Sequence, residues 1–222
     1  MATHFINLLD ELMRRSLRMG AAVEDMLLEA CEAVTYADHN LARRVVNRDC
    51  EIDAEEVAIE AEAVRLMTLF QPMGSDMRRL CTILKVNNDL ERIADCGVNI
   101  AERAAHLEPE MLVEARNNLK EVYPVVRRML HGAINAYATL DREAAERVMT
   151  EDEIIDAFYG DFIRKLVTDA SRSPEVMAAH LDVLSIAKNL ERTADHAVNI
   201  AEDVIFLVTG QIIRHIKKKV SG

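Results

Sequence analysis

Tryptophan is absent from this chain, and all aromatic residues together make up only 4% of its 222 positions. Glycine (7) and proline (4) are equally scarce. A sheet protein of this length needs frequent turn residues and strands rich in aromatic or β-branched side chains. These shortages therefore exclude an all-β fold. What remains is 50% apolar and 29% charged residues, with Ala, Leu, Val, Glu and Arg prominent. That is the composition of a helical protein long enough to bury a core.

Positive charge is also missing. The formal net charge is −11, and phosphate backbones are bound by basic faces, so no nucleic-acid partner is expected. The one basic run, RHIKKK at 214–219, could complement a helix dipole, fray in solvent or touch an anionic surface, and either of the first two is the preferred reading. The four cysteines, Cys31, Cys50, Cys81 and Cys96, contain no CxxC pair and suit reduced thiols rather than a disulfide framework. Asp10 and Glu11 fall where a signal peptide would need an apolar run. No stretch reaches the ~20 apolar residues of a membrane span. A cytoplasmic protein is expected, and if it serves a membrane system it does so from the cytoplasm.

Catalytic signatures are lacking too. There is no Gly-rich phosphate loop, Walker sequence, G-x-S-x-G elbow or H-E-x-x-H pair. Glu-x-x-His, the ligand spelling of ferritin-like di-iron oxidases, is absent from all 7 histidines. A glycosidase would set its paired acids beside sugar-stacking aromatics, which this chain hardly has. The expectation is a protein that is not an enzyme.

What the chain does have is a repeat. NDLERIADCGVNIAE (88–102) returns as KNLERTADHAVNIAE (188–202), and from Leu90 to Glu102 ten of thirteen positions match Leu190 to Glu202. RDCEID (48–53) likewise aligns with TEDEIID (150–156), matching Asp49 to Asp152, Ile52 to Ile155 and Asp53 to Asp156. Breaks at FQPMGSD (70–76), HLEPE (106–110), TLD (139–141) and SRSPE (171–175) punctuate long segments of helical periodicity. These predict helices over about 8–35, 38–70, 76–106, 110–138, 141–170 and 175–208, with Ser75 or Asp76 capping the third. The fold expected is all-α, with six long helices in two tandem three-helix bundles related by an internal pseudo-twofold repeat. The bundles are placed at 1–107 and 108–222.

The repeated helix carries acids on an unusual face. With Glu91 at zero on a helical wheel, Asp95 falls near 40° and Glu102 near 20°. Leu90, Ala94, Gly97 and Ala101 lie immediately beside them, so the acids border the core. Glu191, Asp195 and Glu202 repeat the arrangement. On the preceding helix, Asp49, Asp53, Glu56 and Glu60 form another stripe, of which the second set keeps only Asp152 and Asp156, with Tyr159 and Ile163 following. Antiparallel packing would make the two stripes of each set face each other, raising the carboxylate pKa values by repulsion. Arginine, solvent or a metal ion could offset this. Arg92 and Arg192 sit about 100° around the helix and reach the seam poorly. Carboxylates with few imidazoles select hard cations such as Mg²⁺, Ca²⁺, Mn²⁺ or iron. His196, beside Asp195, is a minor candidate ligand.

The sequence resembles the PhoU family of bacterial and archaeal phosphate-signalling regulators. The likeness runs almost end to end, through LRMGAAVEDMLLEA (17–30), LARRVVNRDCEID (41–53), QPMGSDMR (71–78), both LER-x-AD-x-x-VNIAE copies and VIFLVTG (204–210). This resemblance implies tandem three-helix bundles, a homodimer, and multinuclear iron, zinc or manganese sites on acidic motifs. By that resemblance the motif positions are Asp49 and Asp53, Glu91 and Asp95, Asp152 and Asp156, Glu191 and Asp195. It also implies a cytoplasmic adaptor between the ATPase of a phosphate ABC transporter and a sensor histidine kinase, holding the starvation response off when phosphate is plentiful. Two departures stand out. The second set lacks counterparts of Glu56 and Glu60, and Ala94 and Ala194 replace a glycine common before the second motif acid. Two other readings of the acids remain: a metal-dependent phosphohydrolase using a carboxylate cluster, and a metal-free helical scaffold.

Overall fold

The computed structural model describes residues 2–172 and 177–213, and these form six α-helices. They are α1 (Ala2–Tyr36), α2 (His39–Phe70), α3 (Ser75–Ala104), α4 (Val113–Thr139), α5 (Arg142–Arg172) and α6 (Met177–Thr209). The expected all-α fold of two repeated three-helix sets is what is found. The basic run at 214–219 and most of the break at 171–175 lie outside the described residues.

Each helix is placed by an apolar stripe of period three to four. On α1, Leu9, Leu12, Val23, Met26, Ala30 and Val34 are all buried. This helix starts six residues earlier than the sequence predicts. The cause is tertiary: Phe5 is buried, with its ring centroid 5.1 Å from that of Phe70 at the end of α2. The predicted cap of α3 also differs. Ser75 and Asp76 lie inside the first turn, and Gly74 occupies the N-cap with no side-chain hydrogen bond. Its φ of 61° and ψ of −124° are open to glycine alone. Asp38 caps α2 by accepting from the backbone N–H groups of Asn40 (2.9 Å) and Leu41 (3.0 Å).

α1 packs on α2, α3 and α4, while α6 packs on α3, α4 and α5. The result is a row of four helices, α2–α3–α6–α5, backed by α1 and α4. Two tandem bundles could each bury a core of their own, yet the buried side chains form one cluster running through both halves. The repeated LER helices, α3 and α6, meet at its centre.

Small residues allow this close approach. An added Cβ at Gly97 would meet nothing nearer than the Leu27 Cα of α1, at 4.0 Å, an ordinary contact. The equivalent position in the repeat is already Ala197, fully buried. Gly97→Ala is therefore expected to stabilise the protein by about 0.5–1 kcal/mol through its lower unfolded-state entropy. Urea denaturation reads this directly, and a loss of stability would show that α1 and α3 cannot accommodate the methyl group.

Candidate functional site: two acidic seams

The two acidic stripes of each half do face each other. Asp49 on α2 is pushed up from the usual carboxylate range, first by burial and then by the charges of Asp53, Asp95 and Glu102. Glu91 on α3 is raised by burial and by Asp95, with Asp53 and Glu56 of α2 adding to it. Burial, Glu60 and Asp53 likewise raise Glu56. Register between the helices is fixed by buried Asn87, whose Nδ2 donates to the Glu56 carbonyl at 3.0 Å. Asp49, Asp53, Glu91, Asp95 and Glu102 thus share the first seam, joined by Glu56.

In the second half the effect is stronger at one residue. Burial, followed by Asp156, Asp195, Glu191 and Glu153, pushes Asp152 of α5 up to about 6. Asp195 of α6 is also raised, by burial and then by Glu191 and Asp156, against the opposing Lys188 and His196. Asp152, Asp156, Glu191 and Asp195 are therefore brought together across α5 and α6. Glu202 occupies the turn of α6 equivalent to Glu102 and is half-buried.

Cations reach these seams in ways the wheel does not anticipate. The wheel keeps Arg92 away from the acids, but its Nε lies 3.4 Å from Glu91 and its guanidinium 3.3 Å from Asp95. A wheel records where Cα–Cβ bonds point, whereas a guanidinium on a long stem can swing back over its own helix. Arg192 acts instead on buried Cys96 of α3. In the second seam, Lys188 Nζ donates to the Glu191 carboxylate and lies 5.2 Å from the Tyr159 ring centroid. Its counterpart in the first copy is Asn88, so the substitution, three residues before an acid, was the signal to read. His196 faces the other way, with Nδ1 2.8 Å from buried Asp89, which also accepts from Asn199 Nδ2 at 3.3 Å.

The donor set suits hard cations, since the seam acids offer only oxygen. Among the described residues, no three acidic, histidine or cysteine side chains stand close enough to cage an ion as placed. The acids form opposed rows that a cation would have to draw together. By chemistry the first seam fits better, with six carboxylates and one arginine. The second already contains an ammonium group.

Nothing in either seam resembles a catalytic constellation. All four cysteines are free, and burial pushes the Cys31 thiol up to about 12, out of nucleophilic range. No helix among the described residues is long and apolar enough to cross a membrane.

Comparison with known proteins adds to this geometry. The PhoU domain matches twice, at residues 16–104 and 119–204. A phosphate-specific transport system accessory protein PhoU homologue from Pseudomonas putida is 37% identical over 216 residues, covering 95% of this chain and 83% of the relative. A crystal structure of PhoU from Pseudomonas aeruginosa superimposes with a TM-score of 0.90 at 34% identity, covering 93% of this chain and 100% of that one. The phosphate transport system regulatory protein PhoU from Streptococcus pneumoniae gives 0.87 at 28% identity, with 94% and 98% covered. The Pseudomonas putida relative is named as an accessory protein and the Streptococcus pneumoniae one as a regulatory protein. With both halves matched by one domain and nearly its full length aligned to such relatives, this chain belongs to the PhoU family.

Proposed function

We propose that this chain regulates phosphate uptake and phosphate-starvation signalling from the cytoplasm. In this reading it acts as a homodimeric adaptor between the ATPase of a phosphate ABC transporter and a sensor histidine kinase. The observation that carries the reading is the near full-length match to proteins named for a phosphate-specific transport system. The absence of membrane-crossing helices among the described residues supports contact with the transporter through its cytoplasmic subunit. Co-purification with the phosphate-transporter ATPase of the same organism tests the adaptor role. Association, together with derepressed phosphate uptake in a deletion strain grown on ample phosphate, is the expected result. Failure of both would remove the reading.

We further propose that the first seam binds a hard or borderline cation, iron, zinc or manganese, through Asp49, Asp53, Glu91 and Asp95. Glu56 and Glu102 complete the row. The ion would add to the single positive charge that Arg92 sets against six carboxylates, fixing α2 against α3. The second seam would bind more weakly, because Lys188 already offsets Glu191. Elemental analysis of untagged protein should find about one or more ions per chain. Adding Mn²⁺ or Fe²⁺ at a hundredfold excess over its Kd should stabilise metal-free protein by about 2.7 kcal/mol. Substoichiometric metal with no stabilisation would leave a metal-free scaffold.

A further inference from the structure

A cleft of about 460 Å³ opens between α1 and α4, and none of its lining residues comes from the helices of either acidic seam. The two helices run antiparallel and are pinned at one end. There Tyr137 Oη donates to Ser16 Oγ at 3.4 Å, and a Cβ on Gly20 would lie 3.4 Å from Ile134 Cδ1. Towards Cys31 and Tyr123 they leave the cleft between them. Pro124 stands in its wall and is the one proline inside a described helix. It lacks the N–H that would bond the carbonyl four residues back, and its ring crowds that carbonyl. α4 is thus locally loosened where the gap lies.

Helical cores normally close such space. A gap of this volume is within the usual range of small-molecule sites, which are mostly apolar with a few polar groups at fixed positions. Leu27, Leu28, Pro124, Val126 and the ring of Tyr123 give the apolar lining here. The Tyr123 hydroxyl is buried and has no hydrogen-bond partner in the structure.

The charged groups and an imidazole stand at the mouth, where Glu24, Arg127, Arg128 and His131 gather. Arg128 already donates to both carboxylate oxygens of Glu151, at 3.1 and 3.0 Å. Glu24 is engaged by His131 Nδ1 at 3.1 Å. Arg127, 56% exposed, approaches Glu24 only to 3.9 Å, beyond hydrogen-bond distance. The unused capacity at the mouth is therefore that of a guanidinium, a planar fork of donors matched to an acid group. An ammonium head would meet two arginines there and would have to displace His131 from Glu24.

We propose that this cleft binds a small amphipathic organic acid, one per chain. The apolar body lies between Leu27, Leu28, Pro124 and Val126, and the acid head is held by Arg127. Because the site shares no residue with the seams, it stands whether or not they hold metal. An occupant would clamp α1 to α4 and so act on the contact between the two repeats.

Titration of the full chain with anilinonaphthalene sulfonate, followed by fluorescence, tests this. The expected result is saturable binding of one probe per chain, displaced by octanoate about tenfold more effectively than by octylamine. Arg127→Gln, a change at an exposed side chain, should weaken octanoate about tenfold, the value of one charge-assisted hydrogen bond, and leave octanol competition unchanged. Leu28→Trp fills the half-buried wall and should abolish probe binding in a protein that keeps its helical circular dichroism. Equal displacement by octanoate and octylamine would overturn the proposal. So would full octanoate affinity in Arg127→Gln, or probe binding that survives Leu28→Trp.

Discussion

Lys85→Met is expected to lower the folding stability by about 2–3 kcal/mol and the melting temperature by roughly 5–10 °C. Asp203 of α6 has a side chain only 2% exposed, and Lys85 Nζ of α3 lies 2.9 Å from its Oδ1. The ammonium also sits 5.1 Å from the Phe206 ring centroid. Methionine retains the apolar stem that covers this ring, so the change isolates the loss of charge. Removing one partner of a buried ion pair weakens folding by up to about 3–5 kcal/mol. The smaller loss expected for Lys85→Met reflects the 39% exposure of Lys85, which lets water attend the pair. Neither member is repeated, since Lys85 corresponds to Ser185 and Asp203 to Arg103. The pair therefore joins the two halves asymmetrically, at the helix contact that unites their core. Urea denaturation of Lys85→Met, Asp203→Asn and the double variant completes a mutant cycle. A coupling of about 1.5–3 kcal/mol is expected. A loss under about 0.5 kcal/mol in Lys85→Met would show that solvent screens the bond.

The acidic seams were largely legible in the sequence because helical geometry is rigid. Once two copies of a motif place Glu91 with Asp95 and Glu191 with Asp195, a 3.6 period fixes which face they share. Antiparallel packing then brings Asp49 and Asp152 opposite. Buried Leu90, Ala94, Gly97 and Ala101 beside the acids fixed which way that face turns. What escaped depended on side-chain reach or on distant contacts. Arg92 reached the seam because its stem is long and flexible, which no wheel records. The early start of α1 rests on Phe5 meeting Phe70, two residues far apart in the chain. The cleft between α1 and α4 is a matter of shape, set by where two helices from different repeats part. No local pattern encodes that, although Pro124 marks the place.

Asp152→Asn should stabilise chelator-treated protein by about 1–2 kcal/mol at pH 7.5 and have almost no effect at pH 3. Burial and four neighbouring acids hold this carboxyl at about 6 in the folded state, against an ordinary value of 3.8. Below about pH 3 it is protonated both folded and unfolded, so it contributes nothing. Between about pH 4 and 6 the folded protein keeps a proton that the unfolded chain releases. Stability falls as pH rises wherever the folded state binds more protons. The penalty is complete above about pH 6, and its expected size allows for screening of a side chain that water partly reaches. Asparagine keeps the shape and removes the charge, so the variant should lose the downward slope between pH 4 and 6. A bound cation reverses the sign: with Mn²⁺ at saturation, a metal-holding second seam would make Asp152→Asn the less stable protein. Lys188 works against that reversal, because its ammonium already answers Glu191 and remains charged across this range. Lys188→Asn, which restores the first repeat's residue, should therefore enlarge the Mn²⁺ response of a protein that keeps Asp152, and adding Asp152→Asn should remove that gain. Equal stability of Asp152→Asn and parent at both pH values would mean that the opposed acids are fully hydrated, leaving no repulsion for a cation to relieve.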